Sequence, residues 1–300
     1  MDQHGRNGPQ QLNSHAWLLG TSHFNTYLIS GDRASALVEV SVSAVVDRVI
    51  DQLRTLQTAP DFLILTHPHA DHFTGLEALV EEFPGAKVVA AEGAEKFVLH
   101  PKATGMLVNE DAHMSRTLES MGVQPGRDPI QEVTFPKPTI VVQDSLELDL
   151  GSITARLNQA SGHSPGNLVV HVPELETVLL SDSLGFRFSN GLFLPLFFTG
   201  FKAYLDTLDY LQSLNPRIVG LGHQGPLMDD QAARGLEQAR EAALQLRDRL
   251  SQDPRDDRTV VEELVQEYYT GEFLLYTEEN IRNCMALLVK RIREAETLKV

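Results

Sequence analysis

The chain has 300 residues, a single cysteine and a formal charge of −16, from 25 Lys and Arg against 41 Asp and Glu. So acidic a surface repels phosphate backbones and anionic lipid headgroups, which argues against nucleic-acid and membrane partners. Cys284 alone allows no intrachain disulfide, and no apolar stretch approaches the roughly 20 residues of a membrane span.

Met1 to Leu12 is polar, carries Gly5, Gly8 and Pro9, and lacks the charged start and apolar run of a signal peptide. The expectation is a flexible tail over 1–14 and a cytoplasmic protein. Three strands follow, at 16–19, 24–29 and 36–40, punctuated by Gly20 and Gly31-Asp32. Val45, Val46, Val49, Ile50, Leu53 and Leu56 recur at helical spacing, and Pro60 closes that element. Phe62 to Leu65 is continuously apolar, as suits a strand buried on both faces. A helix over 75–83 and a strand over 87–90 repeat the alternation, and residues 96–127 read as helical and loosely packed. Strands are expected at 139–142, 145–150, 153–158, 168–172, 177–181 and 217–221, with a helix at 206–214. That order suits two sheets face to face with helices outside.

Past Pro226 the composition turns to long helices, over 230–250, 260–269 and 278–296. Thr277 caps the last, with Glu278 and Glu279 in its first turn. The expected organisation is therefore an α/β catalytic unit over 15–228 and a helical C-terminal cap over 229–300.

The decisive segment is Thr66-His67-Pro68-His69-Ala70-Asp71-His72, directly after the apolar strand. Four metal-binding side chains fall within six residues, and Pro68 rules out a helix interior. Neutral imidazole and carboxylate suit Zn²⁺, Fe²⁺ or Mn²⁺. Three more candidates each follow an expected strand: His163 in Ser161-Gly162-His163, Asp182 after Leu179-Leu180-Ser181, and His223 in Gly220-Leu221-Gly222-His223. Loops leaving strand ends are where sheet folds build sites, so these loops can converge.

The order His-x-His-x-Asp-His, Gly-His, Asp, Gly-His resembles the metallo-β-lactamase-fold hydrolases, over roughly residues 15–228. The resemblance implies an α/β fold, an αββα sandwich with the site at one edge, here with a helical C-terminal extension. It implies a first metal on His67, His69 and His163, a second on Asp71, His72 and His223, and Asp182 between both. It departs at Glu39, in Leu37-Val38-Glu39-Val40-Ser41, where most members carry Asp-x-Gly as a support beneath the ligands. Within the superfamily the 66–72 segment is similar to glyoxalase II enzymes. Val38-Glu39, Asp182-Ser183-Leu184-Gly185 and the helical tail are similar to the quinolone-signal response thioesterase.

Residues 186–198 are unusually aromatic and follow Asp182. Phe186, Phe188, Phe193, Phe197, Phe198 and Tyr204 are the expected substrate-binding wall, with Arg187 and Lys202 the only cations nearby. Cys284 shares the apolar stripe of the last helix with Ile281, Leu288 and Ile292 and reads as packing. The remaining histidines (His4, His15, His23, His100, His113 and His171) fall in no ligand motif and read as surface or core residues.

Together these readings imply a hydrolase with two divalent metals, Zn or Fe, with Mn also compatible. A hydroxide shared by the metals would attack an acyl carbonyl, and Asp71 would orient it as the catalytic carboxylate. The expected substrate is a small-molecule thioester or ester with a hydrophobic acyl group, and the helical tail would suit a homodimer surface. The alternatives are a lactonase, a regulatory protein of the same fold acting through a partner, and a diiron oxidoreductase. Diiron relatives usually replace the second His with Glu, whereas His69 is present here.

Overall fold

Side chains alternate between the two faces of a strand, and that alternation decides which layer each strand packs against. The computed structural model of the chain describes residues 8–138 and 140–297, with side chains through 295. The first sheet is built in sequence order from β1 (Gln10–Asn13), β2 (Ala16–Gly20), β3 (Asn25–Ser30) and β4 (Ser35–Val38), then β5 (Phe62–Ile64), β6 (Lys87–Ala91) and β7 (Ile140–Val142). The hairpin-linked strands β1 to β4 are antiparallel, and β4 to β7 are parallel. Parallel neighbours need crossovers, and helices α1 (Ser43–Thr55), α2 (Ala70–Phe73), α3 (Leu76–Glu82), α4 (Ala94–Val98) and α5 (Pro101–Ser120) supply them.

The chain then forms β8 (Ser145–Asp149), β9 (Thr154–Gln159), β10 (Leu168–Val172) and β11 (Thr177–Ser181). A small hairpin of β12 (Phe186–Arg187) and β13 (Phe193–Leu194) follows, then α6 (Phe201–Ser213), β14 (Ile218–Leu221) and β15 (Leu227–Met228). The second sheet runs β15-β14-β11-β10-β9-β8, with β11 and β14 parallel.

Leu18, Tyr27, Ile29, Val38, Ile64 and Val89 leave the first sheet on one face and meet Leu157, Val170 and Leu179 of the second. Their neighbours Leu19, Leu28, Leu37 and Leu63 point the other way, into a cluster with Val45, Val49 and Leu53 of α1. Val178, Leu180 and Val219 of the second sheet belong to that cluster too, with Leu208 and Leu211 of α6. Two sheets thus share an inner core while helices cover both outer faces, which is the αββα sandwich. Each large apolar side chain so buried contributes about 1.5–3 kcal/mol.

Helices α7 (Asp230–Gln252), α8 (Asp257–Tyr268) and α9 (Glu278–Thr297) complete the chain. Thr277 caps α9, accepting from the Asn280 N–H at 3.2 Å. Leu236, Leu246, Leu264, Met285, Leu288 and Ile292 bury their apolar stripes in the cluster that also holds Phe193, Leu194 and α6. The composition change near Met228 therefore coincides with the start of α7, while the core runs on across it.

Three expectations need correction. Gln10–Asn13, placed in the flexible tail, pairs antiparallel with β2, because that edge has free backbone groups to satisfy; residues 1–7 and Thr139 lie outside the described residues. Helix α6 begins at Phe201 rather than 206, since its aromatic first turn packs inward. The 96–127 region is not loosely packed: Ala103, Leu107, Met114 and Leu118 of α5 are buried.

Asp111 on α5 is fully buried and satisfies donors from three segments. It accepts from Ser43 Oγ (2.6 Å), Thr74 Oγ1 (2.5 Å) and the Ile130 N–H (2.9 Å). Removing an acceptor that serves several buried donors costs more than one hydrogen bond. Asp111→Ala should lower unfolding stability by about 3 kcal/mol or more, measured by urea denaturation. A loss below about 1 kcal/mol would show that those donors find water instead.

Candidate metal centre

The seven side chains singled out above lie on the loops that leave the C-terminal ends of strands, or on the short helix that one such loop enters. His67 and His69 occupy the extended segment between β5 and α2, where Pro68 prevents an earlier helix start. Residue 69 keeps extended angles (φ −76°, ψ 158°) as the residue before α2, and α2 then carries Asp71 and His72. His163 lies in the loop after β9, Asp182 directly after β11, and His223 after β14.

Two glycines let these loops close. Gly162 has φ +106°, and a Cβ there would stand 2.3 Å from the Tyr204 Cα. A Cβ on Gly222 would stand 2.7 Å from His72 Cε1 and 2.9 Å from Asp182 Oδ1, inside the cluster itself. Only glycine permits either approach.

The structure brings all seven side chains together. Donor atoms of His67, His69 and His163 form one group, and those of Asp71, His72, Asp182 and His223 another, each within 4.8 Å. Six of them are buried, and His69 is partly buried. Asp182 faces both groups: Oδ2 is 3.9 Å from the Nε2 atoms of His67 and His163, and Oδ1 is 3.5 Å from His223 Nε2. The Nε2 atoms of His72, His163 and His223 are buried without a well-formed hydrogen bond, although carboxylate oxygens stand 3.1–3.9 Å away. Orphaned ring nitrogens and carboxylates converging on one point are what a divalent cation needs.

The opposite ring nitrogens are tied down, which fixes the rings. His163 Nδ1 lies 2.9 Å from the Leu196 carbonyl and His223 Nδ1 2.5 Å from the His23 carbonyl. His72 Nδ1 lies 2.9 Å from Glu39 Oε2, while Glu39 Oε1 accepts from Thr66 Oγ1 at 2.8 Å. Glu39 thus spans the distance that a shorter carboxylate would have to reach otherwise. Its backbone at φ +76°, and that of Ser41 at +63°, is the sparsely populated left-handed kind that collects at functional sites.

Electrostatics divide the cluster. Burial pushes His67, His69 and His163 down, His69 to about 3, so these rings are neutral and ready to coordinate. Burial would also lower His72 and His223, but the Asp71 and Glu39 carboxylates outweigh it at His72, as Asp182 does at His223, raised to about 9. Burial would raise Asp71 and Asp182, yet the positive charges of His72 and His223 hold both well below the usual carboxylate range.

A cavity of about 340 Å³ opens onto His69, Asp71, His163 and Asp182. Its walls are mainly apolar, with Phe97, Met106, Phe186, Leu196, Phe198 and Phe273 among them. Of the six aromatic residues expected as a wall, Phe186 and Phe198 line it, their rings 4.9 Å from His223 and 5.3 Å from His163. Phe188, Phe193, Phe197 and Tyr204 do not. Phe197 and Tyr204 pack against each other, rings tilted, under the His163 loop, Phe193 faces α7, and Phe188 packs outside Phe186. In the hairpin Phe186 pairs with Leu194 and Phe193 with Arg187, so Phe193 faces away from Phe186 and from the cavity.

Sequence reasoning missed Phe97, Met106, Glu110, Phe273 and Tyr276, and it assigned Cys284 to packing alone. Asn280, Asn283, Cys284, Leu287 and Arg291 of α9 also face the cavity. The cap is therefore part of the site. The run Phe273-Leu274-Leu275-Tyr276 between two helices was the available signal. Burial pushes the Cys284 thiol up to about 12, so it remains a neutral, soft wall group.

The profile of the Metallo-beta-lactamase superfamily matches residues 21–223, from the first sheet to the last histidine of the centre. The chain belongs to the metallo-β-lactamase superfamily. This member is 27% identical, over 203 residues, to the metallo-beta-lactamase fold-containing protein ST1585 of Sulfurisphaera tokodaii, covering 66% of this chain and 72% of that one. It is 25% identical to Glyoxylase B2 of Dictyostelium discoideum over 138 residues, 46% of this chain and 40% of the relative. In fold it is similar to the metallo-beta-lactamase family protein TTHA1429 of Thermus thermophilus (TM-score 0.62, 21% identity, 95% of both chains). It is also similar to the sec-alkylsulfatase Pisa1 of a Pseudomonas species (TM-score 0.64, 14% identity, 95% of this chain and 50% of that one). Among the described residues, no helix of this superfamily member is long and apolar enough to cross a membrane.

Because His223 holds a proton up to about pH 9 in the metal-free protein, a cation at its Nε2 must displace that proton. Apparent metal affinity should therefore rise as pH increases toward 9 and fall below it. Calorimetric titration of the metal-free protein at pH 7, in buffers of different ionisation enthalpy, should record proton release on metal uptake. Uptake without proton release would contradict the charge state assigned to His223.

Proposed function

We propose that this metal-dependent hydrolase cleaves an acyl bond, a thioester or ester, in a small molecule with a hydrophobic acyl group. The observation that carries the reading is the junction of the seven-residue centre with a mostly apolar cavity. His67, His69 and His163 would hold one divalent ion, Asp71, His72 and His223 the second, and Asp182 would serve both. When bound, such ions polarise a carbonyl oxygen and acidify water near neutral pH.

The chain's own groups supply the rest. The Asp71 carboxylate faces the cavity and is ionised, so it can accept a hydrogen bond from the attacking water and orient it. Phe186, Leu196 and Phe198 exclude bulk water beside the histidines and would hold the acyl carbon close to them. Leu287 of α9 and Met106 of α5 would receive the remainder of the chain. Selectivity arises in this wall, because the centre itself discriminates little between carbonyls. Thioesters are the more electrophilic acyl bonds, which favours them over esters, with lactones as the next class.

A panel of matched acyl thioesters, esters, lactones, β-lactams, phosphodiesters and a secondary alkyl sulfate, assayed with the metal-loaded protein, tests the reading. Thioesters of medium apolar chains should turn over fastest, and Asp71→Asn should reduce kcat about 10²–10⁴-fold. Phe198→Ala should raise KM for long acyl groups more than for acetyl. Preference for the phosphodiester or the sulfate would overturn the acyl assignment, and indifference to chain length would remove the role of the wall.

A further inference from the structure

The segment joining α8 to α9 touches the centre directly. Gly271–Leu275 form a short 3-10 helix, and Tyr276 and Thr277 lead from it into α9. Tyr276 is buried, and its hydroxyl donates to Asp71 Oδ2 at 2.8 Å, across 205 residues of sequence. Asp71 stands on a helix of four residues, which by itself does little to fix a carboxylate rotamer. A phenol held in place by its own surroundings would do so.

Tyr276 is held in that way. Its carbonyl accepts from Tyr269 Oη at 3.2 Å, and its ring packs edge-on against Phe273 and Phe186, with centroids 5.9 and 6.4 Å apart. The adjoining Thr277 is gripped by Glu110 of α5, which is only 2% exposed. The Thr277 N–H donates to Glu110 Oε2 at 3.1 Å, and Thr277 Oγ1 donates to Oε1. Nearly one turn further along α5, His113 Nε2 lies 3.1 Å from the Leu274 carbonyl. Burying a carboxylate is costly unless donors meet it, and here the donors that meet it are those of the residue next to Tyr276.

We propose that Tyr276 is a positioning residue of the metal centre, orienting the Asp71 carboxylate, and that the Glu110–Thr277 clamp keeps Tyr276 in reach. Hydrogen-bond partners of ligating carboxylates are worth 10–100-fold in metal affinity or activity. The cap then does two things at once: it walls the cavity and completes the Asp71 half of the centre. The inference rests on the two-metal reading above and is independent of which bond is hydrolysed.

The test is a Co²⁺ titration of the metal-free full chain, followed by visible absorption, for the unmodified protein and four variants. The unmodified protein should take up two equivalents. Tyr276→Phe keeps the ring packing and should bind one equivalent normally and the second about 10–100-fold more weakly. Thr277→Val should shift the second equivalent in the same direction, Thr277→Ser should restore it, and Tyr268→Phe on α8 should match the unmodified protein. On any substrate turned over, Tyr276→Phe should lower kcat while leaving KM within about twofold. An unchanged second-equivalent affinity in Tyr276→Phe would overturn the inference, and should that variant fail to fold, the same result in Thr277→Val would do so. Uptake of fewer than two equivalents by the unmodified protein would overturn the two-metal reading itself.

Discussion

Glu39, Asp71 and Asp182 are carboxylates almost wholly removed from water, and each such burial costs several kcal/mol unless positive charge is near. In the metal-free chain His72 and His223 supply that charge by retaining protons, while His67, His69 and His163 are driven neutral by burial. The protonated pair lies on the carboxylate-rich side, where a cation has the greatest effect. The neutral trio lies on the other, where His67 Nε2 stands 3.1 Å from His69 Nδ1 and the His163 Nε2 lone pair has no hydrogen-bond partner among the described residues. The same residues that balance charge without a metal are those able to exchange protons for one.

That constraint reaches outward through the fold. Strand ends from both sheets must converge within a few ångströms, so the loops cross at Gly162 and Gly222, where a methyl group would collide with Tyr204 or with the cluster. Glu39 must reach His72 and Thr66 together, and the chain there adopts a left-handed backbone at Glu39 and Ser41. The apolar core on either side of the first sheet holds these strained positions in place. The helical cap closes the remaining side. Its apolar stripes bury against α6 and the β12–β13 hairpin, and this packing sets Phe273, Tyr276 and α9 over the opening.

Much of this was legible in the sequence, for reasons that differ by element. Phe62 to Leu65 and the 66–72 segment are local signals: an apolar strand, a proline and four ligating side chains within six residues admit few structures. His163, Asp182 and His223 each follow a strand and sit beside a glycine or a small residue, so their convergence followed from topology. The substrate wall was less legible, because burial in 186–204 is decided by which face of a short hairpin or helix a ring occupies. Phe197 and Tyr204 support the His163 loop, a tertiary role that composition does not distinguish from pocket lining. Tyr276 and Glu110 were missed because their partners lie 205 and 167 residues away, and no periodicity links such distances. The edge strand at Gln10–Asn13 was hidden by polar side chains, since its pairing uses only backbone groups.

The central claim is that one buried cluster of histidines and aspartates holds two metal ions. Anomalous scattering from a crystal of the metal-loaded protein, collected across the absorption edge of the bound metal, tests it most directly. Two peaks should appear, one among the Nε2 atoms of His67 and His163 with His69, the other among Asp71, His72 and His223, with Asp182 between them. A single peak, or peaks only outside these residues, would contradict the account.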